Sequence, residues 1–299
     1  METSELLRNI TTLPIISRSL AEEMMAGNFS SIFKGQGMEF DEARHYEPGD
    51  DIRSIDWNAS ARFGTPYVKM YREERELTIM ILLDISPSMH RGKIDRKTIS
   101  PYEQGLISAS LIALSAEHTG QQAGAFFFDR DIERVFPPRK GRRHIMALIM
   151  AALQYQNQTE FRADAHGSNI ASAIKGAQRL LKRRSLVVLI SDFYSVNWEQ
   201  ELTNLCRKHD VIALRICDPP DLPWPGLITM EDPETGIRIE APAGLGSFRE
   251  NWFQWHRERS MHWEAQCRLA GASFMELTTE ADAPSSLLKF FGVRGRKKR

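Results

Sequence analysis

Four short apolar runs, at residues 78–83, 123–128, 186–190 and 211–216, do not alternate with polar residues. A strand with one wet face alternates, so runs of this kind belong to strands covered on both faces, as in parallel sheets flanked by helices. Helical patterns lie between them. Ser100-Pro101-Tyr102-Glu103 spells a capping box with proline at the first helical position, and Ile107, Leu111 and Leu114 continue one apolar face to about His118. Further helices are expected over 143–154, 168–182 and about 198–208, and residues 132–136 are expected to pair with the second run as a hairpin. This alternation predicts an α/β class: a doubly wound, mostly parallel sheet with flanking helices.

The flanking segments read differently. Residues 1 to about 30 are amphipathic in pieces, with Leu6, Ile10, Leu13 and Ile16 loosely spaced. From 35 to 76 charge and turn residues are dense, and Pro48-Gly49 suits the centre of a type II turn, so a separate small β-rich module is expected. Downstream, Pro219, Pro220, Pro223 and Pro225 interrupt regular structure, and Asp232-Pro233-Glu234-Thr235-Gly236 suits the turn of a short hairpin. A long helix then carries Phe248, Trp252, Trp255, Trp263 and Cys267, with the tryptophans read as core packing. A last strand over 273–277 and a helix over 284–290 precede Arg294-Gly295-Arg296-Lys297-Lys298-Arg299, read as a solvated basic terminus. The expected division is 1–76, 77–293 and a tail of 294–299.

Among the 299 residues, 42% are hydrophobic and 26% charged, a globular mixture that excludes disordered and collagen-like designs. Lys+Arg 39 balances Asp+Glu 39, so no global attraction to nucleic acid or anionic membrane is built in. Cys206, Cys217 and Cys267 are too few and too scattered for a disulfide framework or a four-thiolate zinc site. With no secretory pattern at METSELLRNI and no apolar run of the roughly 20 residues that cross a bilayer, a cytoplasmic location is expected.

The chemistry concentrates behind the first buried run. Asp84-Ile85-Ser86-Pro87-Ser88 follows it directly, and open parallel sheets gather ligands at the carboxyl ends of their strands. Gly167-Ser168-Asn169 precedes a helix, and Ser191-Asp192 ends the third run. Asp84, Ser86, Ser88, Ser168 and Asp192 thus offer five oxygen donors, which suit a hard cation such as Mg²⁺. His90 and His166 flank these loops and read as ordinary loop histidines. Cys206 and His209 have ligand-like spacing without a second pair, which favours a buried thiol over zinc.

These five residues resemble the metal-ion-dependent adhesion site of von Willebrand factor A domains, with Ser168 where threonine is usual and Phe193 where glycine commonly follows the aspartate. Upstream, Gly35-Gln36-Gly37-Met38-Glu39-Phe40, Arg44, Tyr46, Pro48-Gly49-Asp50-Asp51, Arg53, Ile55-Asp56-Trp57 and Ala61-Arg62 resemble the signature of the domain of unknown function 58 family. Glu73-Glu74-Arg75 and Asp232-Pro233-Glu234-Thr235-Gly236 are similar to that family too. The resemblance implies a von Willebrand factor A-like, Rossmann-like fold and a divalent cation at the sheet edge, Mg²⁺ or else Mn²⁺ or Ca²⁺. It also implies work beside a MoxR-type AAA+ ATPase, or another protein that supplies an Asp or Glu to the metal. Arg44, Arg53 and Arg62 with Asp50, Asp51 and Asp56 form either an internal ion-pair network or a docking face.

The expected function is therefore a non-enzymatic, metal-dependent protein-binding adaptor. The alternative is a Mg²⁺-dependent phosphohydrolase with Asp84 as nucleophile, which would lack its usual acid because Ser86 stands two residues on. No phosphate loop, dinucleotide turn, zinc-protease helix or nucleophile elbow occurs.

Overall fold

The computed structural model describes residues 17–24, 38–73, 77–90, 99–156, 168–218, 226–231 and 237–297. The readings at Leu6, Ile10, Leu13, Ile16, 35–37, Glu74, Arg75, His166, Gly167, 219–225, 232–236, Lys298 and Arg299 lie outside them. The described residues form two compact units, one within Asn28–Glu76 and one from Met1–Gly27 with Leu77–Arg299.

In the smaller unit, β1 (Met38–His45) pairs antiparallel with β2 (Tyr67–Glu73), and α1 (Trp57–Phe63) lies between them in sequence. The Asp50 amide donates to the Glu47 carbonyl at 3.1 Å across Pro48-Gly49, and Gly49 takes φ 116°, the left-handed value this turn needs. Arg44 pairs with Asp50 at 2.6 Å. Asp51 and Asp56 cap the helical turns that follow them, accepting from the Arg53 amide and from the Asn58 and Ala59 amides.

The larger unit is built on a six-stranded sheet: β3 (Thr78–Asp84), β4 (Gln122–Phe128), β5 (Ile132–Arg139), β6 (Leu186–Ser191), β7 (Asp210–Cys217) and β10 (Ser273–Thr278). Its order is β10-β7-β6-β3-β4-β5, parallel throughout except for the β5 edge. This is the doubly wound, mostly parallel α/β arrangement that the non-alternating runs predicted. Helices α2 (Pro101–His118), α3 (Arg142–Tyr155) and α7 (Ala283–Lys297) cover one face; α4 (Ile170–Leu180), α5 (Glu199–Lys208) and α6 (Gly246–Ala270) cover the other. Because strand side chains alternate, β3 feeds both layers. Met80 and Leu82 join Ile174, Leu202, Trp263 and Cys267 in one core. Leu83 faces α2, where a β-carbon on Gly105 would stand 3.2 Å from Ile190 and 3.5 Å from Leu83. Full burial of each such aliphatic chain stabilises the fold by about 1.5–3 kcal/mol.

The capping box at Ser100 forms as expected, with the Glu103 amide donating to Ser100 Oγ at 3.1 Å and the Ser100 amide donating to Glu103 Oε2 at 2.8 Å. Between β7 and α6, β8 (Ile228–Glu231) and β9 (Arg238–Ala241) make the expected antiparallel hairpin.

Two expected boundaries change. Helical residues 17–24 go with the larger unit, because Ser115 Oγ donates to the Ser17 carbonyl at 3.0 Å and Leu20 and Met24 are buried. The basic terminus is not a free tail up to Lys297, because α7 continues through it and Arg294 is buried against Asp210 at 2.5 Å. The tryptophan reading holds for Trp263, which is 3% exposed, and fails for Trp255, which is 46% exposed.

Gly124 lies where the β4–β5 register shifts, and a β-carbon there would stand 2.5 Å from the Phe136 carbonyl oxygen and 2.8 Å from Pro138 N. Backbone cannot yield as a flexible side chain does. Gly124→Ala is therefore expected to cost about 1–3 kcal/mol, read as a lower midpoint with unchanged slope in urea denaturation.

Candidate metal centre

The chain order places a crevice between β3 and β6. These neighbours lead into connections that run to opposite faces, which is the topological switch point where open α/β sheets bind ligands outside the carboxyl ends of their strands. Asp84 is the last residue of β3 and Asp192 follows β6.

The first loop is folded tightly around its own carboxylate. Asp84 is fully buried, and its Oδ1 accepts the Ser86 amide at 2.9 Å. A 3₁₀ turn, Pro87–His90, then brings Ser88 Oγ to 3.1 Å from Ser86 Oγ. Both serines are buried.

A residue not assigned on sequence grounds completes this arrangement. Ser191 Oγ donates to Asp84 Oδ2 at 2.5 Å and accepts the Phe193 amide at 3.0 Å. The signal for it is the parallel register: Leu83 faces Ile190, so the next residues, Asp84 and Ser191, sit side by side and point to the same face.

The chain then turns sharply. Phe193 takes φ 56°, a left-handed value uncommon for a bulky residue, where the resembled family commonly has glycine. Packing holds it there: its ring meets Trp198 at 5.3 Å and Trp263 at 5.4 Å, and its carbonyl accepts Arg259 Nη2 at 2.9 Å. The turn fixes Asp192, whose Oδ1 accepts the Tyr194 amide at 3.0 Å.

Ser168 stands at the head of the third loop. Its neighbour Asn169 donates its amide to the Asp129 carbonyl at 2.8 Å and caps α4 through the Ser172 amide at 3.0 Å. The Ile170 amide reaches Ser195 Oγ at 3.4 Å, which ties this loop to the one following β6. Ser168 Oγ is buried and has no hydrogen-bond partner among the described residues.

Burial, and then the neighbouring Asp192 charge, push the Asp84 carboxyl up to about 7 against the opposing pull of the Ser191 and Ser86 hydrogen bonds. Two buried carboxylates near one another, with an orphaned hydroxyl on the adjoining loop, are costly alone and suited to a hard divalent cation, which takes oxygen ligands. The donor set fits Mg²⁺ better than a transition metal. Among the described residues no group of three or more His, Cys, Asp or Glu converges.

His90 is not a free loop histidine. It stacks on Tyr102 at 4.4 Å between ring centroids, and burial lowers its pKa to about 4. Burial also raises the Cys206 and Cys267 thiols to about 12, which leaves them inert as nucleophiles near neutrality.

A family model described as "Protein of unknown function DUF58" matches residues 42–262. Uncharacterized protein Mb1516 of Mycobacterium bovis is 26% identical over 300 residues, covering 99% of this chain and 92% of that protein. Uncharacterized protein Rv1480 of Mycobacterium tuberculosis shows the same identity and coverage. Among solved structures, an aerotolerance-related membrane protein from Bacteroides fragilis, carrying multiple mutations to serines, superposes with TM-score 0.46 at 17% identity, over 74% of this chain and 99% of that one. BatB from Bacteroides thetaiotaomicron gives 0.45 at 15%, over 74% and 99%. The SpRpn10 VWA domain gives 0.39 at 13%, over 72% and 94%. No helix among the described residues is long and apolar enough to cross a membrane.

Proposed function

The chain belongs to the family described as "Protein of unknown function DUF58", and from that premise we propose that it is a non-enzymatic, divalent-cation-dependent protein-binding adaptor. Asp84, Ser86, Ser88, Ser168 and Asp192 would hold the ion. The observation that carries this reading is the pairing of two buried carboxylates at the switch point with the unpartnered Ser168 hydroxyl. A bound Mg²⁺ would supply positive charge and an open position for an oxygen ligand from outside. The protein's own groups supply the rest: Ser191 and the Ser86 amide orient Asp84, and the Phe193 turn orients Asp192.

The partner in this reading is a MoxR-type AAA+ ATPase or another protein offering an Asp or Glu side chain. Support for the ATPase comes from the family resemblance of the upstream signature. The phosphohydrolase alternative loses ground, because no carboxylic acid stands at position 86 to protonate a leaving group.

Calorimetry with Mg²⁺ and Mn²⁺, followed by pull-down of a purified MoxR-type ATPase, tests the proposal. Wild type is expected to bind the ion and, with it, the ATPase, whereas Asp84→Ala binds neither. Equal ion binding by the two proteins would exclude the site; ion binding without any ATPase capture would exclude that partner.

A further inference from the structure

A helix that connects two parallel strands starts at their carboxyl edge and ends at their amino edge. Helices α4, α5 and α6 therefore end on the side opposite Asp84 and Asp192, just before β6, β7 and β10. They end side by side. The Asp210 amide donates to the Ser185 carbonyl at 2.9 Å, and Cys206 and Cys267, one residue before Arg207 and Arg268, pack in one core. Arg294 of α7 reaches the same edge through Asp210 and Ser273.

This edge is basic. Residues 176–185, 206–209, 265–272 and 291–297 contain no Asp or Glu, while Lys182, Arg183, Arg184, Arg207 and Lys208 are all exposed on it. The acids that border these segments, Asp210 and Glu264, are bonded to Arg294 and Arg268. Arg207 and Lys208 close the last turn of α5, where positive charge suits the helix dipole. That explanation stops at the helix end. Helix α4 is capped at Leu181, so Lys182, Arg183 and Arg184 carry the charge on into the loop, and no acid among the described residues pairs with Lys182 or Arg183. An apolar side chain projects from the same edge: Leu269, in the last turn of α6, is 79% exposed, more than any other large hydrophobic residue described. Val293, next to Arg294, is exposed too.

We propose that this amino edge docks on an anionic phospholipid surface, with the basic side chains against the head groups and Leu269 inserted at the boundary with the acyl chains. Peripheral attachment uses both features, positive charge for attraction and an apolar group for insertion. The aliphatic character decides against single-stranded nucleic acid, which is held by stacking on aromatic rings, because the large apolar side chains exposed in these four segments are Leu269 and Val293. Duplexes are read by a helix or ribbon lying in a groove, whereas here the helices end at the face. Lys+Arg and Asp+Glu balance over the whole chain, so the attraction comes from segregation of charge to one edge. It would turn that edge toward the lipid and leave the Asp84–Asp192 edge facing away. The inference stands whether or not that opposite edge holds an ion.

Sedimentation of the full chain with lipid vesicles tests this, using phosphatidylcholine alone or mixed in equal parts with phosphatidylserine, in EDTA. Binding is expected only to the mixed vesicles, and it should be lost as salt is raised. Each basic side chain near an anionic surface strengthens binding about fivefold, so Lys182→Gln with Arg183→Gln should weaken it about 25-fold. Both residues lie in an exposed loop outside α4, and an unchanged melting temperature checks that the variant is folded. Leu269→Ser should weaken binding about tenfold and leave its salt dependence unchanged. Failure to bind mixed vesicles, equal binding to both compositions, or full binding by the double variant overturns the proposal. Wild-type binding by Leu269→Ser overturns the insertion on which it rests. Capture of a short DNA duplex at a salt concentration that releases the vesicles would assign the edge to nucleic acid and overturn the lipid reading.

Discussion

Asp84→Asn is expected to be more stable than wild type in EDTA and less stable than wild type in excess Mg²⁺. Asp84 is fully buried, and its charge is opposed by desolvation and by Asp192. Asparagine keeps a carbonyl oxygen for the Ser86 amide and offers an amide that the Ser191 hydroxyl can accept, while it removes the like-charge contact. Two charge-assisted hydrogen bonds become ordinary ones, so the net gain without metal is small, on the order of 1 kcal/mol. With metal the balance reverses. An ion at one hundred times its dissociation constant adds about 2.7 kcal/mol to a protein that binds it only when folded. At about 2–4 °C per kcal/mol for domains of this order of size, wild type should gain some 5–10 °C with Mg²⁺. Asp84→Asn should gain close to nothing. Calorimetric melting of both proteins with and without Mg²⁺ gives the answer, and parallel shifts in the two would remove Asp84 from the metal site.

The sheet was legible in the sequence because burial on both faces leaves a direct mark, as in the uninterrupted runs 78–83 and 186–190. Asp84 and Asp192 were legible for a related reason: Asp84 directly follows the first run, and Asp192 follows the third with only Ser191 between. Ser191 was not, since its role depends on which residue of β6 lies beside Asp84, and register between distant strands is not written in local periodicity. Trp255 misled in the opposite way. Its spacing from Trp252 and Arg259 is that of a core face, and spacing alone does not reveal that α6 extends beyond the layer that would cover it. His90 is a third case, because its stacking partner Tyr102 comes from a different element.

Arg294→Ala should cost about 3–5 kcal/mol, the scale of leaving one member of a buried ion pair alone. A solvated terminus would respond by no more than about 0.5 kcal/mol, so urea denaturation separates the two readings cleanly. Arg294 continues a buried stripe, Leu287, Phe291, Arg294, at spacings of four and three, and its flanking basic residues obscured this continuity. The guanidinium bonds Asp210 at 2.5 Å and Ser273 Oγ at 2.9 Å, and these are the first residues of β7 and β10. The pair thus fastens α7 to the amino edge of the sheet, opposite the edge that carries Asp84 and Asp192. Replacing both partners, Asp210→Leu with Arg294→Met, removes the stranded charge and should recover most of the loss. Since distant sites with no shared partners contribute independently, Arg294→Ala should lower stability while Mg²⁺ affinity, measured on the folded protein, stays unchanged. A large loss of Mg²⁺ affinity in Arg294→Ala would mean that the two edges are coupled through the sheet, and the separation between anchoring edge and binding edge would fail.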